Sequence, residues 1–380
     1  MNKLIFVNIG MMMFRGGGEN FDINMSKALK DLGYEVEIYS LKPLLKSSTY
    51  DKVAEHFDKE TFIKSPWLYP LTQFFHKNKY LKKLRGIRGI PRILGQIIFE
   101  FRVFLNLKSR EDDFVVHTCE LPLLTYLVSK FTDKKAYMRM PGPLNNFYDI
   151  FLAKGCTGII ANGNAYEQIK KRDIVNDKLH FINIGVYEFD KTKLIDKKVF
   201  RKSIGIESDE FVIIFVGRLI DIKNIPMLLK GFSLFLGQEK NSKLIIIGDG
   251  NKKDDLKELV SSLNIKHNVL FKGNLEKDEL GNYYNIADVC ALTSHYDNFP
   301  NVLIEAMSFG VPCIGTNVGG IPSIIEDGVN GYIVNSNDEK MLASKFSKSK
   351  NKIFDREIIK ERINYEYSWR KSAENFKLKL

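Results

Sequence analysis

Asp297-Asn-Phe-Pro-Asn-Val-Leu-Ile-Glu305-Ala-Met-Ser-Phe-Gly310-Val-Pro312 leads directly into Gly315-Thr-Asn-Val-Gly-Gly-Ile-Pro322 and then Glu326-Asp-Gly-Val-Asn-Gly331. The first run is a turn of Asn298, Phe299, Pro300, Asn301 and Val302, bracketed by two acids and opening a helix. Such a turn presents backbone N–H groups, and the helix N-terminus adds a positive field, so the place suits an anionic diphosphate. A carboxylate one or two turns into the helix, here Glu305, can accept hydrogen bonds from sugar or ribose hydroxyls. Taken singly, Glu305 could equally face solvent and Asp297 could simply cap the helix. The surrounding sequence decides between these readings.

Short apolar runs flank the stretch at Val289–Leu292 and Pro312–Gly315, and the same alternation with helical patterns continues to both ends of the chain. It marks βαβ units around parallel sheets. Phe211–Val216, Lys243–Ile247 and Val269–Lys272 complete the strands of the second half. In the first half Lys3–Ile9, Glu35–Ser40, Phe114–Thr118, Ala136–Arg139 and Gly158–Ala161 read as strands. Phe21, Met25, Ala28, Leu29 and Leu32 recur at helical spacing between the first two. A chain of 380 residues suits two domains. The expectation is an α/β protein of two Rossmann-like, doubly wound domains facing a central cleft. Residues 1–188 form the first and 189–364 the second, joined near 186–205, with a helix over 365–380 packing back on the first. Ligands of such sheets sit beside the carboxyl ends of the strands.

A second block, Phe211-Val-Ile-Ile-Phe-Val-Gly-Arg218-Leu-Ile-Asp-Ile-Lys223-Asn-Ile225, ends a strand in Gly217 and sets two cations at the start of a helix. Arg218 can bind a leaving diphosphate through a forked pair of bonds and Lys223 as a point charge. Ile247-Gly-Asp-Gly250 ends the next strand, with Gly248 at the turn.

Together these blocks resemble family four of the retaining glycosyltransferases, whose members have the GT-B fold. Members carry two acids with seven residues between them around a Gly-Phe-(Gly/Pro)-Asn turn, then a Glu-Ala-Met helix start and a Gly-Gly-(Ile)-Pro turn. The resemblance implies that Glu305 binds the ribose of a nucleotide and that Asp297 contacts the donor sugar. Asp297 stands where Glu is commoner and Asn298 where Gly is usual, which bears on the identity of the sugar rather than on the reaction class. It implies further that Arg218 and Lys223 hold the donor phosphates, that Gly248 lies near the base, and that the anomeric configuration is retained. A UDP- or GDP-sugar donor and a glycan or lipid-linked acceptor follow, with domains that close on the donor. Glycosyltransferases of the other main architecture hold a divalent ion with Asp-x-Asp, which occurs nowhere in this sequence. The expectation is therefore no metal and no cofactor.

The first half resembles the family in layout. Arg15-Gly-Gly-Gly18-Glu19 lies between the first strand and first helix, and the resemblance places Gly17 and Gly18 beside the donor diphosphate. It is not the GxGxxG fingerprint, which argues against a dehydrogenase. His117 precedes Cys119, where many relatives carry a histidine, so His117 reads equally as catalytic or as a structural histidine. Glu120 and Arg139, at strand ends, are the acceptor-side candidates.

Of the net charge of +11, residues Phe62 to Arg110 hold eleven Lys/Arg against one acid, Glu100. Trp67, Tyr69, Phe74, Phe75 and Tyr80 are interleaved with those cations, a composition that suits an anionic membrane surface, here through residues 62–92. A solvated basic face is the plainer reading. The stripe Ile90, Ile93, Leu94, Ile97, Phe101, Phe104 and Leu105 is expected in the core, packed on the sheet, in preference to the alternative of a membrane face. Lys3 before an apolar run resembles a leader peptide, but a core strand fits better because no cleavage pattern follows. No charge-free apolar stretch reaches spanning length. Four isolated cysteines, Cys119, Cys156, Cys290 and Cys313, fit a reducing compartment. The expected location is cytoplasmic, peripheral on the inner face of the cell membrane. A cell-envelope polysaccharide or lipopolysaccharide product is the corresponding guess. A nucleotide-sugar epimerase or hydrolase is the rival enzyme. A basic nucleic-acid- or membrane-binding protein without catalysis is the rival class; no recognised nucleic-acid motif accompanies the charge, and no nucleic-acid partner is expected.

Overall fold

The computed structural model describes residues 3–9, 17–41, 56–63, 89–142, 144, 147–186 and 188–379. The chain forms two units, Met1–Gly185 with Trp369–Leu380, and Val186–Ser368. Both are organised on a parallel sheet with helices between successive strands.

The first unit runs β1 (Lys3–Val7), α1 (Gly17–Asp31), β2 (Glu35–Leu41), β3 (Lys59–Ile63), α2 (Gly89–Lys108), β4 (Val115–Cys119), α3 (Pro122–Phe131), β5 (Lys135–Met140), α4 (Phe147–Gly155), β6 (Gly158–Ala161), α5 (Gly163–Lys171) and β7 (Leu179–Phe181). Its strand order is β3-β2-β1-β4-β5-β6-β7. Alternate side chains of β1 serve opposite faces, as the two-residue period requires. Leu4 and Phe6 pack with Phe21, Met25 and Leu29 of α1, while Ile5 and Val7 pack with Phe99, Val103 and Leu107 of α2. A strand covered on both faces reads as a continuous apolar run, which is why β1 is plain in the sequence.

The second unit runs α6 (Lys197–Ser203), β8 (Phe211–Val216), α7 (Ile225–Leu236), β9 (Ser242–Ile247), α8 (Lys253–Ser262), β10 (Val269–Gly273), α9 (Lys277–Ile286), β11 (Val289–Leu292), α10 (Asn301–Met307), β12 (Cys313–Thr316), β13 (Gly331–Val334), α11 (Glu339–Asn351) and α12 (Arg356–Glu366). Strand order is β10-β9-β8-β11-β12-β13, so successive connections reverse direction between β8 and β11. That reversal is the switch point where ligands of open α/β sheets bind, outside the carboxyl ends of the strands.

The helix expected over 365–380 is broken at Tyr367 and Ser368. α12 belongs to the second unit, and α13 (Trp369–Lys377) to the first. There Trp369, Ala373 and Phe376 join the cluster around Phe21 and Met25, with the Trp369 and Phe21 rings 5.6 Å apart.

Helix α2 corrects the sequence reading. Of its expected core stripe the Ile90 side chain lies outside the described residues, and among the rest only Phe104 is buried; Ile93, Leu94, Ile97, Phe101 and Leu105 are exposed. The buried side is instead Phe99, Val103, Phe104 and Leu107. Glu100 fixes this rotation. Its buried carboxylate accepts a 2.6 Å bond from the backbone N–H of Leu124, in the first turn of α3. Burial pushes the Glu100 carboxyl up to about 7, with Asp149 adding to the rise and the Leu124 amide, Gln96 and the Leu123 amide opposing it. The folded chain therefore holds a proton that the unfolded chain, near its ordinary 4.5, has released. Stability from this group is full below 4.5 and lost as pH rises through about 7. Thermal unfolding should show a loss on the order of 3 kcal/mol between about pH 5 and about pH 8, which Glu100→Gln should flatten.

Candidate functional site

The β8 and β11 ends at the switch point carry the site. Beyond β8, Lys223 closes a short turn and Asn224 takes a left-handed conformation at φ 45° before α7 begins with Ile225-Pro226. Asn tolerates that region better than most residues. Thr293, just past β11, donates its hydroxyl to the Asn224 carbonyl at 3.0 Å, and the His295 N–H donates to the Ile222 carbonyl at 2.8 Å. The two strand ends are thus stitched together. Lys223 Nζ lies 2.6 Å from Asp297 Oδ2, both side chains about one-sixth exposed. The expected phosphate cation and the expected sugar acid are partners in one ion pair.

The Gly319-Gly320 turn is explained by close approach. A Cβ on Gly319, whose φ is +55°, would stand 1.9 Å from the Asp297 carbonyl oxygen, and one on Gly320 2.1 Å from that of Asn298. The Gly320 N–H donates to the Asp297 carbonyl at 2.8 Å. The pair of glycines therefore allows the loop that carries Asp297 to sit where it does. Gly248 has a similar role: its Cβ would lie 1.9 Å from the Gly217 carbonyl oxygen, so these two glycines press strand ends together.

Glu305 is 7% exposed and lies inside α10, so it does not face solvent. Its Oε2 accepts from the Tyr284 hydroxyl at 3.0 Å and its Oε1 pairs with Lys277 Nζ. Tyr284 is fully buried between Phe189 and Phe309, at ring distances of 5.8 and 5.7 Å. Burial and the Glu305 charge hold its hydroxyl well above the ordinary tyrosine range, so it stays a donor. Neither Lys277 nor Tyr284 was marked from sequence. Their signal was the seven-residue spacing on α9, two turns along one face. Asp297 does not cap α10 with its side chain; Pro300 occupies the N-cap without a side-chain bond. The helix holds only seven residues, so its terminal field is smaller than the sequence reading supposed. Phe299 packs 5.9 Å from the Tyr367 ring, Asn301 and Val302 open the helix, and Arg218 is exposed beside Gly217.

In the first unit, Gly17 and Gly18 open α1, while Arg15 and Gly16 lie outside the described residues. His117 is 0% exposed and packs against the rings of Phe6 and Phe376 at 4.8 and 5.3 Å. Burial outweighs Asp22, 3.5 Å away, and lowers its pKa. Its burial favours the structural reading of this histidine over the catalytic one. Arg139 is likewise inside, its guanidinium 4.4 Å over Phe21 and bonded to the Cys119 sulfur at 3.0 Å. Glu120 is exposed with φ 54°. Among the described residues no group of three or more His, Cys, Asp or Glu gathers as metal ligands.

Residues 196–364 match the family described as Glycosyl transferases group 1. An uncharacterized glycosyltransferase of Methanocaldococcus jannaschii is 39% identical over 161 residues, which are 42% of this chain and 41% of that protein. The chain thus spans under half the length of that relative. The alpha-monoglucosyldiacylglycerol synthase of Acholeplasma laidlawii is 27% identical over 83% of this chain and 81% of its own length. Among solved structures, Anabaena HepE in complex with UDP superposes over 100% of this chain and 99% of its own, with TM-score 0.77 and 16% identity, a likeness of fold. With its two parallel sheets, the chain has the GT-B architecture.

Proposed function

We propose that this chain, whose residues 196–364 form a glycosyl transferases group 1 domain, moves a sugar from a UDP- or GDP-sugar to a glycan or lipid-linked acceptor. The observation that carries the reading is the Lys223–Asp297 pair at the switch point of the second sheet, with Glu305 buried nearby in the helix that follows. A nucleoside diphosphate sugar presents ribose, diphosphate and sugar in a row, and these side chains offer a matching carboxylate, cation and carboxylate.

The acceptor hydroxyl attacks the anomeric carbon from the side on which the diphosphate departs. The carbon–oxygen bond to phosphate breaks, the leaving phosphate oxygen takes the hydroxyl proton, and the configuration is retained. Arg218 and Lys223 balance the charge released on the diphosphate, the role that preorganised donors serve at a developing anion. Lipid acceptors are supported by the Acholeplasma relative, whose name places glucose on diacylglycerol. A uridine nucleotide is supported by HepE, solved with UDP. We place the chain at the cytoplasmic face of the cell membrane, in cell-envelope glycan or glycolipid synthesis. The eleven cations between Phe62 and Arg110 support an anionic surface as neighbour.

Purified protein with a panel of UDP- and GDP-sugars, EDTA present, should release nucleoside diphosphate from one donor. A membrane lipid extract should raise that release. Release that never depends on an acceptor would point to a hydrolase, and silence across the panel, without donor binding, would overturn the reading.

A further inference from the structure

Helix α2 is apolar on nearly every side, yet only one side is covered. Ile93, Leu94, Ile97, Ile98, Phe101 and Leu105 are all exposed, Ile93 by 58% and Phe101 by 49%. At about 100° per residue these six fall in an arc of roughly 140°. Six exposed large hydrophobics on one helix exceed the scattered single residues that need no explanation. The neighbouring helix α4, whose Asp149 bears on Glu100, exposes Tyr148 and Phe151 as well.

Charge selects the occupant. Among the described side chains of α2 the exposed charged residues are Arg102 and Lys108, both cations, and its single acid, Glu100, is buried. Residues 64–92, which lead into the helix, carry Lys64, Lys77, Lys79, Lys82, Lys83, Arg85, Arg88 and Arg92 with no acid. A second copy docked by this face would set cations against cations. An acidic protein surface would leave the apolar arc unmatched. An anionic bilayer satisfies both features, its headgroups the cations and its acyl boundary the apolar arc. No described helix is long and apolar enough to cross a membrane.

We infer that the outward face of α2 is an insertion surface that lies in the interface of an anionic membrane. This deepens the membrane placement proposed above and rests on it. It adds a hydrophobic component to attachment, one that salt does not screen.

The test uses the full chain and vesicles of phosphatidylcholine with and without phosphatidylglycerol. Binding should require the anionic lipid, and a fraction should persist at high salt. Ile97→Ser/Phe101→Ser should weaken binding at least about tenfold and abolish the high-salt fraction, while donor turnover with a water-soluble acceptor stays at the parent rate. A fluorophore at Leu105 should shift to the blue on vesicles. Binding that is fully salt-reversible, or equal in parent and variant, overturns the inference. So does a dimer that the double variant dissociates. Because the turnover assay is separate, loss of glycosyl transfer in the parent would condemn the proposed activity and leave the vesicle result standing.

Discussion

Lys223→Ala is expected to lower turnover by ~100-fold or more, and Arg218→Ala similarly. In the proposed reaction the leaving group is a nucleoside diphosphate, whose charge grows as the bond to the anomeric carbon lengthens. Lys223 sits beyond β8 at the switch point, held by the Thr293 and His295 bonds to its own turn, so its ammonium is prepositioned. Its removal also strands Asp297, whose carboxylate now has Lys223 Nζ at 2.6 Å. An unpaired acid beside an incoming anionic donor opposes binding as well as departure. Lys223→Arg should recover part of the rate, because the charge returns without the compact geometry. Arg218 is exposed, so its loss should leave thermal stability unchanged. Steady-state kinetics with the identified donor checks all three variants. Nearly full activity in both alanine variants would remove this mechanism.

What the sequence showed of the fold depended on how completely each element is buried. Most of the interior strands, β1, β8, β9 and β11 among them, read as unbroken apolar runs because helices cover both faces. The strands that went unmarked are β3, β7 and β13, all at sheet edges. β3 begins Lys-Glu-Thr and is only half-buried, and β7 is three residues long, so neither carries a periodic signal. Helix α2 failed in the opposite way. Apolar residues occupy almost its whole circumference, and periodicity cannot say which side faces the sheet; the Glu100 bond to α3 does. Within the site, the motif residues Lys223, Asp297 and Glu305 were legible because each belongs to a run of distinctive spacing. That Lys223 and Asp297 touch depends on the adjacency of β8 and β11, which no local pattern states. The reason for Gly319 and Gly320 is likewise a backbone approach from residues 297 and 298. His117 stood at a strand end in sequence, and its full burial beside Phe6, Phe376 and Asp22 is a property of the packing that no local pattern states.

Glu305→Ala is expected to weaken donor binding at least about tenfold, more than Glu305→Gln does. Glu305 is held from two directions, by the buried Tyr284 hydroxyl, which cannot turn to another acceptor, and by the half-exposed Lys277, which can. Tyr284 is enclosed by aromatic rings, so truncating Glu305 leaves a buried hydroxyl without its acceptor. A loss of about 1–3 kcal/mol in stability accompanies the loss of affinity. The two losses separate through the partners. Tyr284→Phe removes the hydroxyl and leaves the carboxylate, so it should change the orientation of Glu305 and raise the donor KM while kcat changes little. Lys277→Ala removes the exposed partner and should leave stability near parent, because that side chain is 44% exposed, while weakening donor binding modestly. Calorimetric titration of the nucleoside diphosphate with each variant measures affinity, and thermal unfolding measures stability. If Glu305→Ala binds the nucleotide as the parent does and only melts earlier, the carboxylate is a packing residue of α9 and α10. If affinity falls while Glu305→Gln retains an intermediate level, the amide still accepts from Tyr284 and one acceptor for the ribose hydroxyls remains. That order of affinities is what a carboxylate held by Tyr284 and Lys277 for ribose binding requires.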